Sequence, residues 1–280
     1  MSLYVNDNGT WKLAKDINVF NGATSPAAWK EPLETWINDN GTWKLVHKVI
    51  YIAANTTNVN LFTLVGSPTS PIRLKVIINS GITVSSTART IPALQVGNFP
   101  TGSQVLITNL GTIAGSGGTG GAGASYSGAT AGSASVGLSG GTAVYADTAV
   151  TIDNTSGAIY AGGGGGGGAA ATVFTAGSKG YYTVYYVAGS GGGGGAGTVG
   201  GTGGAGGTGA TYNGGGGANG TATAGGGGGT AANTITGGAG GVRGATGSAA
   251  GAAGGAGGYY IQGDTNVTWI SRGTNLGGVI

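Results

Sequence analysis

The run Gly162-Gly163-Gly164-Gly165-Gly166-Gly167-Gly168, set between Ala161 and Ala169, decides how this chain is read. Seven consecutive glycines make a poor α-helix or β-strand, because each loses the most backbone entropy and supplies no side chain to pack. The remaining ordered option is the polyproline II geometry. It has three residues per turn and no internal hydrogen bonds, so its N–H and C=O groups all point outward. Where every outward position is glycine, neighbouring helices can approach closely and bond main chain to main chain, with Cα–H···O contacts adding small increments. At about 3.1 Å per residue the run spans roughly 22 Å, enough for one rod of a compact bundle. Further clusters at Gly191–Gly195, Gly214–Gly217 and Gly225–Gly229 would be other rods, separated by Ala, Thr, Ser, Asn and Tyr. Collagen is excluded, since it needs strict Gly-X-Y and abundant proline and no Pro follows Pro100. A flexible or silk-like Gly/Ala tail is the competing reading, and the bulky insertions between the clusters argue against it.

Working outward, composition changes near Leu110. Of 68 glycines in 280 residues, 57 lie between Gly111 and Tyr260 and only 7 precede them, whereas all six prolines and four of the five tryptophans lie earlier. The expected organisation is residues 1–54 as tandem β-hairpin repeats, 55–110 as a β connector, 111–260 as the glycine-rich block and 261–280 as a tail packing on that block. The repeats rest on Asn6-Asp7-Asn8-Gly9-Thr10-Trp11-Lys12-Leu13, which recurs as Asn38-Asp39-Asn40-Gly41-Thr42-Trp43-Lys44-Leu45. Asn-Gly between alternating flanks signals a hairpin, and places Trp11 with Leu13, and Trp43 with Leu45, on one face of each. Such short strands bury little alone, so these four residues are candidate attachment residues; a small autonomous β-domain is the alternative. Strands are expected over Val49–Ala53, Val59–Val65, Arg73–Ile78, Ile82–Ser85 and Val105–Thr108, with Asn79-Ser80-Gly81 as a turn. The fold class is therefore an all-β N-terminal part of hairpin repeats and short strands, then a polyglycine II helix sandwich, with essentially no α-helix.

The same composition excludes most chemistry. With no Cys there is no disulfide scaffold, thiol nucleophile, zinc finger or iron–sulfur site, and a single His forms no multi-histidine cluster. No metal or cofactor is expected. A net charge of +3 without Lys/Arg clusters points away from nucleic acid. No basic-then-apolar segment follows Met1 and no apolar run approaches the roughly 18 residues of a membrane span, so the expectation is a protein made in the cytoplasm with no membrane insertion. Glycosidase carboxylates, a nucleophile elbow and a P-loop are not found, and GxGxxG matches arise here from glycine density alone. The chain is expected not to be an enzyme.

Two leading segments share one design: Ile107-Thr-Asn-Leu-Gly111-Thr-Ile113-Ala-Gly115 and Ile152-Asp-Asn-Thr-Ser-Gly157-Ala-Ile159-Tyr-Ala-Gly162 each give a short strand, a turn and a second strand feeding glycine-rich text. Together with Gly254-Gly-Ala-Gly-Gly-Tyr-Tyr-Ile261 and a tail carrying Trp269, this order resembles the glycine-rich receptor-binding adhesins at the tips of long tail fibres of T-even-like bacteriophages. The likeness covers roughly residues 59–280. It implies a polyglycine II sandwich whose intervening segments form distal loops that recognise a host outer-membrane protein, in a virion component of the tail fibre or tail tip. The N-terminal repeats lie outside it and are similar to Gly-Thr-Trp-Lys repeats of assorted phage tail proteins. They would dock on a tail-fibre or baseplate protein, as a homotrimer or as a single copy on a trimeric fibre.

If the rods are scaffold, larger side chains sit at loop tips or rod ends. The longest insertion, Ala169–Ala188, holds Phe174, Lys179, Tyr181, Tyr182, Tyr185 and Tyr186, and Tyr offers large area with a polar tip. These are the first receptor-binding candidates, although alternation in Tyr182-Thr-Val-Tyr185 also fits a hairpin packed on the block. Tyr126, Tyr212, Asn213, Asn219, Asn233, Ile235 and Arg243 are further candidates. Asp153 reads as a turn residue, Asp147 is unassigned and His47 is a surface residue. A structural cap or spacer of a tail fibre, an ice-binding protein and a depolymerase are the other readings of function.

Overall fold

Aliphatic and polar residues alternate in Arg73–Ile78, Gln104–Asn109 and Val150–Asp153, and that period of two buries Leu74, Val76, Ile78, Val105, Ile107, Val150 and Ile152 on one side of a sheet. In the computed structural model, which describes residues 33–39, 42–178 and 181–280 together with strands over 4–7, 10–13, 19–20 and 29–30, these strands lie side by side in parallel. The first sheet runs Thr42–Ile52, Arg73–Ile78, Gln104–Asn109, Val150–Asp153, Val267–Ser271. A second runs Thr56–Thr57, Thr83–Ser85, Thr112–Ala114, Ala158–Tyr160, Thr274–Leu276, and a third Val59–Asn60, Leu94–Gln95, Val144–Tyr145, Tyr259–Gln262, Gly278–Val279. Each pass of the chain gives one strand to each sheet in turn, so residues 42–280 wind as a three-sided parallel solenoid of five coils.

Register stacks like on like inside it. Ile50, Val76, Ile107, Ile152 and Trp269 form one ladder; Val84, Ile113 and Ile159 a second; Val59, Leu94, Val144 and Ile261 a third, ended by the exposed Val279. Ile107 and Ile152 are wholly buried. Replacing Ile152 by Ala removes a middle rung with neighbours on both sides, and should cost about 3–4 kcal/mol in a denaturant titration. A cost below roughly 1 kcal/mol would mean that the ladder does not hold the solenoid.

Corners are held by side-chain amides and carboxylates. Buried Asn109 donates through Nδ2 to Asn154 Oδ1 at 2.7 Å, and Asn154 Nδ2 donates to Arg272 O at 2.6 Å and Asn275 Oδ1 at 3.0 Å. Asn154→Leu would strand these partners in the interior and should lower stability by about 2 kcal/mol, read as a shifted unfolding midpoint. Asp147 accepts from Gln95 Nε2 at 2.8 Å and Gly97 N at 2.6 Å, which gives that residue a role as a corner clamp. Asp153 is the turn residue its sequence position suggests. It accepts from Thr155 Oγ1 at 2.7 Å and Thr155 N at 3.1 Å, and these bonds hold its carboxyl below the usual aspartate range. The last coil is closed by Trp269 and Arg272, both bonded to Asp264, with the guanidinium 4.9 Å above the indole ring. The Asp264 carboxylate raises the pKa of that guanidinium.

Several strands match the sequence reading, and the differences share a physical cause. The turn at Asn79-Ser80-Gly81, with Gly81 at φ +78°, is a corner between two sheets, so the strands it joins do not pair with each other. Val59–Val65 is only in part a strand: Asn60 Oδ1 accepts from Thr63 N at 3.0 Å and caps a helical turn at Leu61–Leu64. Residues 261–280, expected as a tail against the glycine-rich block, form strands of the last coil in all three sheets. The two leading segments of like design are successive coils, since Thr112–Ala114 pairs in parallel with Ala158–Tyr160.

The glycine-rich text enters as two insertions between the second and third sheets: residues 115–143 in the third coil and 161–258 in the fourth. Outside the short pair Tyr126–Ser127/Thr130–Ala131 and the hairpin Thr172–Ser178/Tyr181–Val187, its segments run out from the solenoid and back without forming strands. Along the central run, N–H donors change partner with a period of three: Gly162, Gly165 and Gly168 give to Gly141, Leu138 and Ser135; Gly163 and Gly166 to Ala196 and Gly193; Gly164 and Gly167 to Ala245 and Ser248. Carbonyls of the same run accept from segments 118–121, 238–241 and 252–258. Backbones approach so closely that a Cβ on Gly165 would stand 2.0 Å from Thr119 O, and one on Gly166 2.0 Å from Gly238 O.

N-terminal to the solenoid, Tyr4–Asp7 pairs with Thr10–Leu13 and Glu34–Asp39 with Thr42–Ile52, both antiparallel, with Asp7 opposite Thr10 and Asp39 opposite Thr42. These are the two hairpins read from the repeat. A third antiparallel pair, Val19–Phe20 with Trp29–Lys30, was not anticipated.

Candidate functional site

Five turns meet at the end of the glycine-rich block remote from the solenoid. Tyr126 N donates to Thr208 O at 2.8 Å and Tyr126 Oη to Thr172 O at 2.9 Å; Tyr212 N donates to Tyr186 O at 3.0 Å, and Ser190 Oγ to Ile235 O at 2.9 Å. Segments 125–132, 170–187, 208–213 and 231–236 are thereby joined, and the turn at 249–251 abuts Ala170. The opposite turns sit on the solenoid. Thr198 Oγ1 donates to Ala114 O at 3.3 Å, and Arg243 stacks 4.5 Å over the Tyr160 ring while Nε donates to Ala222 O at 2.7 Å.

Of these turns, 170–187 is the longest and forms a hairpin, Thr172–Ser178 against Tyr181–Val187, whose strands are rich in β-branched and aromatic residues. Phe174 lies opposite Tyr185, the rings stacked at 4.9 Å, and Tyr212 extends the stack at 6.2 Å from Phe174. On the other face Tyr186 meets the buried Tyr126 edge-on at 5.1 Å. The root of the hairpin is thus packed aromatic structure. Its end is not: Tyr181 is 86% exposed and Tyr182 71%. Tyr126, Tyr186, Phe174 and Tyr185 thus pack, as the hairpin alternative expects, whereas Tyr181 and Tyr182 are exposed to solvent. Lys179 lies outside the described residues.

In the neighbouring turn Asn233 and Thr234 take φ of +53° and +59°. A β-branched residue in the left-handed region is strained, and here Thr234 Oγ1 bonds Asn233 O at 2.6 Å. Asn213 is exposed in the turn beside Tyr212, and Ile235 is half-buried. Two candidates are not brought to this end. Arg243 belongs to the solenoid side, and exposed Asn219 lies along a rod, where Oδ1 accepts from Gly203 N at 2.9 Å. Among the described residues of these five turns none is charged, and no three His, Asp or Glu side chains of the described chain cluster as metal ligands.

At the N-terminal end Trp43 is 65% exposed and Trp36 49%, on one face of the Glu34–Asp39/Thr42–Ile52 hairpin. Trp36 Nε1 donates to Glu34 Oε2 at 3.1 Å, and Glu34 pairs with Lys48 at 3.0 Å, which holds its carboxyl low. Leu45 instead packs against the solenoid interior. Trp11 and Leu13 stand at the register positions of Trp43 and Leu45; their side chains lie outside the described residues. The sequence reading missed Trp36 and Trp29. Extending the repeat by two residues, Tyr4-Val5 against Trp36-Ile37, and noting Trp-Lys at 29–30 would have found them.

The profile of a family described as phage tail fibre adhesin Gp38 matches residues 47–280. A crystal structure of the gp37–gp38 adhesin tip complex of the bacteriophage S16 long tail fibre is similar, with a TM-score of 0.55 and 26% identity over 84% of this chain and 82% of that one. A comparison with curated proteins gives no match.

Proposed function

This chain belongs to the phage tail fibre adhesin family Gp38, and from that premise we propose that it carries host recognition on the remote turns of its glycine-rich block. As an adhesin of that family it is a component of the virion tail fibre. Residues 1–54 attach it to a tail-fibre protein, the solenoid strands of 55–110 and 261–280 form a rigid mount, and 111–260 carry the recognition end. The receptor is a host surface molecule of the outer-membrane protein class, bound without chemistry being done on it. The similar structure is itself a complex of an adhesin with a fibre protein, which supports the attachment reading.

The rods are polyglycine II helices on this reading. Support comes from the period-three change of hydrogen-bond partner, which matches three residues per turn, and from backbones too close for a Cβ along the run Gly162–Gly168. Such a block is stiff because its contacts are main chain to main chain, and a stiff mount lowers the ordering cost of binding.

One observation carries the assignment: two exposed tyrosines at the end of a hairpin whose root is locked by ring stacking. Adsorption of labelled protein to host cells tests it, comparing wild type with a variant in which residues 173–186 are replaced by Gly/Ser. Loss of adsorption in a folded variant supports the assignment; equal adsorption moves the site to another turn, and no adsorption by wild type favours a structural cap. Since Lys179 is the single charged residue in the sequence of these turns, the wild-type affinity should change less than about 3-fold between roughly 0.05 and 0.5 M salt. A steep salt dependence would place recognition on charged residues elsewhere.

A further inference from the structure

One edge of the hairpin Thr172–Ser178/Tyr181–Val187 is occupied at its root, and the other is open beyond Thr172. Tyr186 donates its N–H to Thr211 Oγ1 at 3.2 Å and its C=O accepts from Tyr212 N at 3.0 Å, so it turns its main chain away from Val173, its partner in register. Antiparallel pairs alternate between residues that exchange both bonds and residues that exchange none. Val173, Thr175 and Gly177 therefore point their N–H and C=O groups outward on the side opposite to Tyr212, and these groups take no partner among the described residues. All three residues are exposed.

Open edges are ordinarily blunted by a charge, a proline or a bulge, because they pair with any extended chain they meet. Thr172-Val-Phe-Thr-Ala-Gly-Ser178 has neither charge nor proline, and its register with Tyr181–Val187 runs without a shift. Gly177 and Ser178 stand opposite Tyr182 and Tyr181, so only small side chains separate the two exposed rings from the open edge. A strand laid beside this one, about 4.8 Å away, would find outward amides at every second residue and one tyrosine on each face.

Resting on the adhesin reading above, we infer that the receptor is held by strand addition: an extended segment of a host surface protein joins the hairpin as a third strand along Thr172–Ser178. What answers successive outward N–H and C=O pairs at a two-residue repeat is a polypeptide main chain, which offers the same pairs at the same repeat; a glycan has no such ladder. Main-chain bonds then supply affinity, and Tyr181 and Tyr182 read the side chains that the added strand points to either face. All the bonds join neutral groups, in keeping with the sparse charge of this end of the block.

The test uses the full chain, with outer-membrane vesicles of the host as probe. Hydrogen exchange resolved to single amides over residues 170–188 is compared for free and vesicle-bound wild type. Affinity is compared for Thr175→Pro, which removes one outward N–H and fills the third-strand position, and for Thr175→Val, which keeps both main-chain groups. We expect exchange at Val173, Thr175 and Gly177 to slow by about 10-fold or more on binding, affinity to fall by about 10-fold or more in Thr175→Pro, and Thr175→Val to stay within about 3-fold of wild type. Proline is tolerated where the N–H faces out of an edge strand. If faster proteolysis between residues 170 and 188 shows that Thr175→Pro has opened the hairpin, the exchange result on wild type decides alone. Vesicle binding with unchanged exchange at the three amides overturns the inference and leaves the adhesin reading standing. Equal losses in the two variants overturn it in favour of a contact through the Thr175 side chain. Protection present in concentrated protein without vesicles gives the edge to a second copy, and binding that survives protease treatment of the vesicles but not periodate gives the receptor to a glycan; either result overturns it. Wild type that binds neither vesicles nor host cells sinks the functional reading as well.

Discussion

Gly165→Ala unfolds the glycine-rich block, whereas Gly227→Ala leaves it standing. A Cβ at position 165 would lie 2.0 Å from Thr119 O, 2.3 Å from Thr119 C and 2.7 Å from Gly120 N, where ordinary contact starts near 3.4 Å. These are main-chain atoms of a segment itself hydrogen-bonded on several sides, so no side-chain rotation relieves the clash. Gly165 also donates to Leu138 O and accepts from Gly255, so separating the segments breaks bonds that water would replace only after the block opens. The expected cost is about 3 kcal/mol or more, beyond ordinary core overpacking. At Gly227 a Cβ meets nothing within 4 Å, and φ there is not positive. Alanine should be neutral or stabilise by roughly 0.5 kcal/mol through the unfolded chain. Thermal unfolding with limited proteolysis of both variants decides this. If Gly165→Ala melts within about 2 °C of wild type, the close packing described for this run is wrong.

The second large effect is expected at the hairpin end. Tyr181→Ala with Tyr182→Ala should weaken adsorption to host cells by about 30-fold, equivalent to ~2 kcal/mol, because exposed aromatic anchors commonly dominate such interfaces. Neither ring belongs to the Phe174/Tyr185/Tyr212 stack or to the Tyr126/Tyr186 pair, so the melting temperature should not move. Phe174→Ala provides the contrast. It removes a stacked ring from the root of the hairpin, so any loss of adsorption there would come with a loosened hairpin, detectable as faster proteolysis between residues 170 and 188. Unaltered adsorption by the double variant would remove Tyr181 and Tyr182 from the recognition surface.

Local sequence accounted well for features whose cause is local. Asn8-Gly9 and Asn40-Gly41 specify two-residue connections, and the observed registers place Asp7 opposite Thr10 and Asp39 opposite Thr42. Asp153 beside Thr155 makes its turn with its own neighbours. Alternation in Arg73–Ile78 and Gln104–Asn109 identified strands, and glycine density marked text that cannot be helix or sheet.

Parallel winding was not legible, because each solenoid contact joins residues dozens to more than a hundred positions apart. Ile152 faces Trp269 across the glycine insertion, and Val144 meets Ile261 across the same gap. Nothing in either strand alone distinguishes a parallel neighbour from an antiparallel one. The site divided in the same way. That Tyr and Phe cluster in 174–186 is a property of sequence, but which rings pack and which are presented depends on Tyr126 and Tyr212, which arrive from other rods. Arg243 looked like its fellow insertion residues until the path of the chain carried it to the solenoid side, over Tyr160. The sequence by itself determined where backbone must pack without side chains, where hairpins turn and how little charge is available. Only the tertiary structure decided which insertions share an end, since that depends on the direction of each rod, set by main-chain bonds between segments that carry almost no identifying side chains.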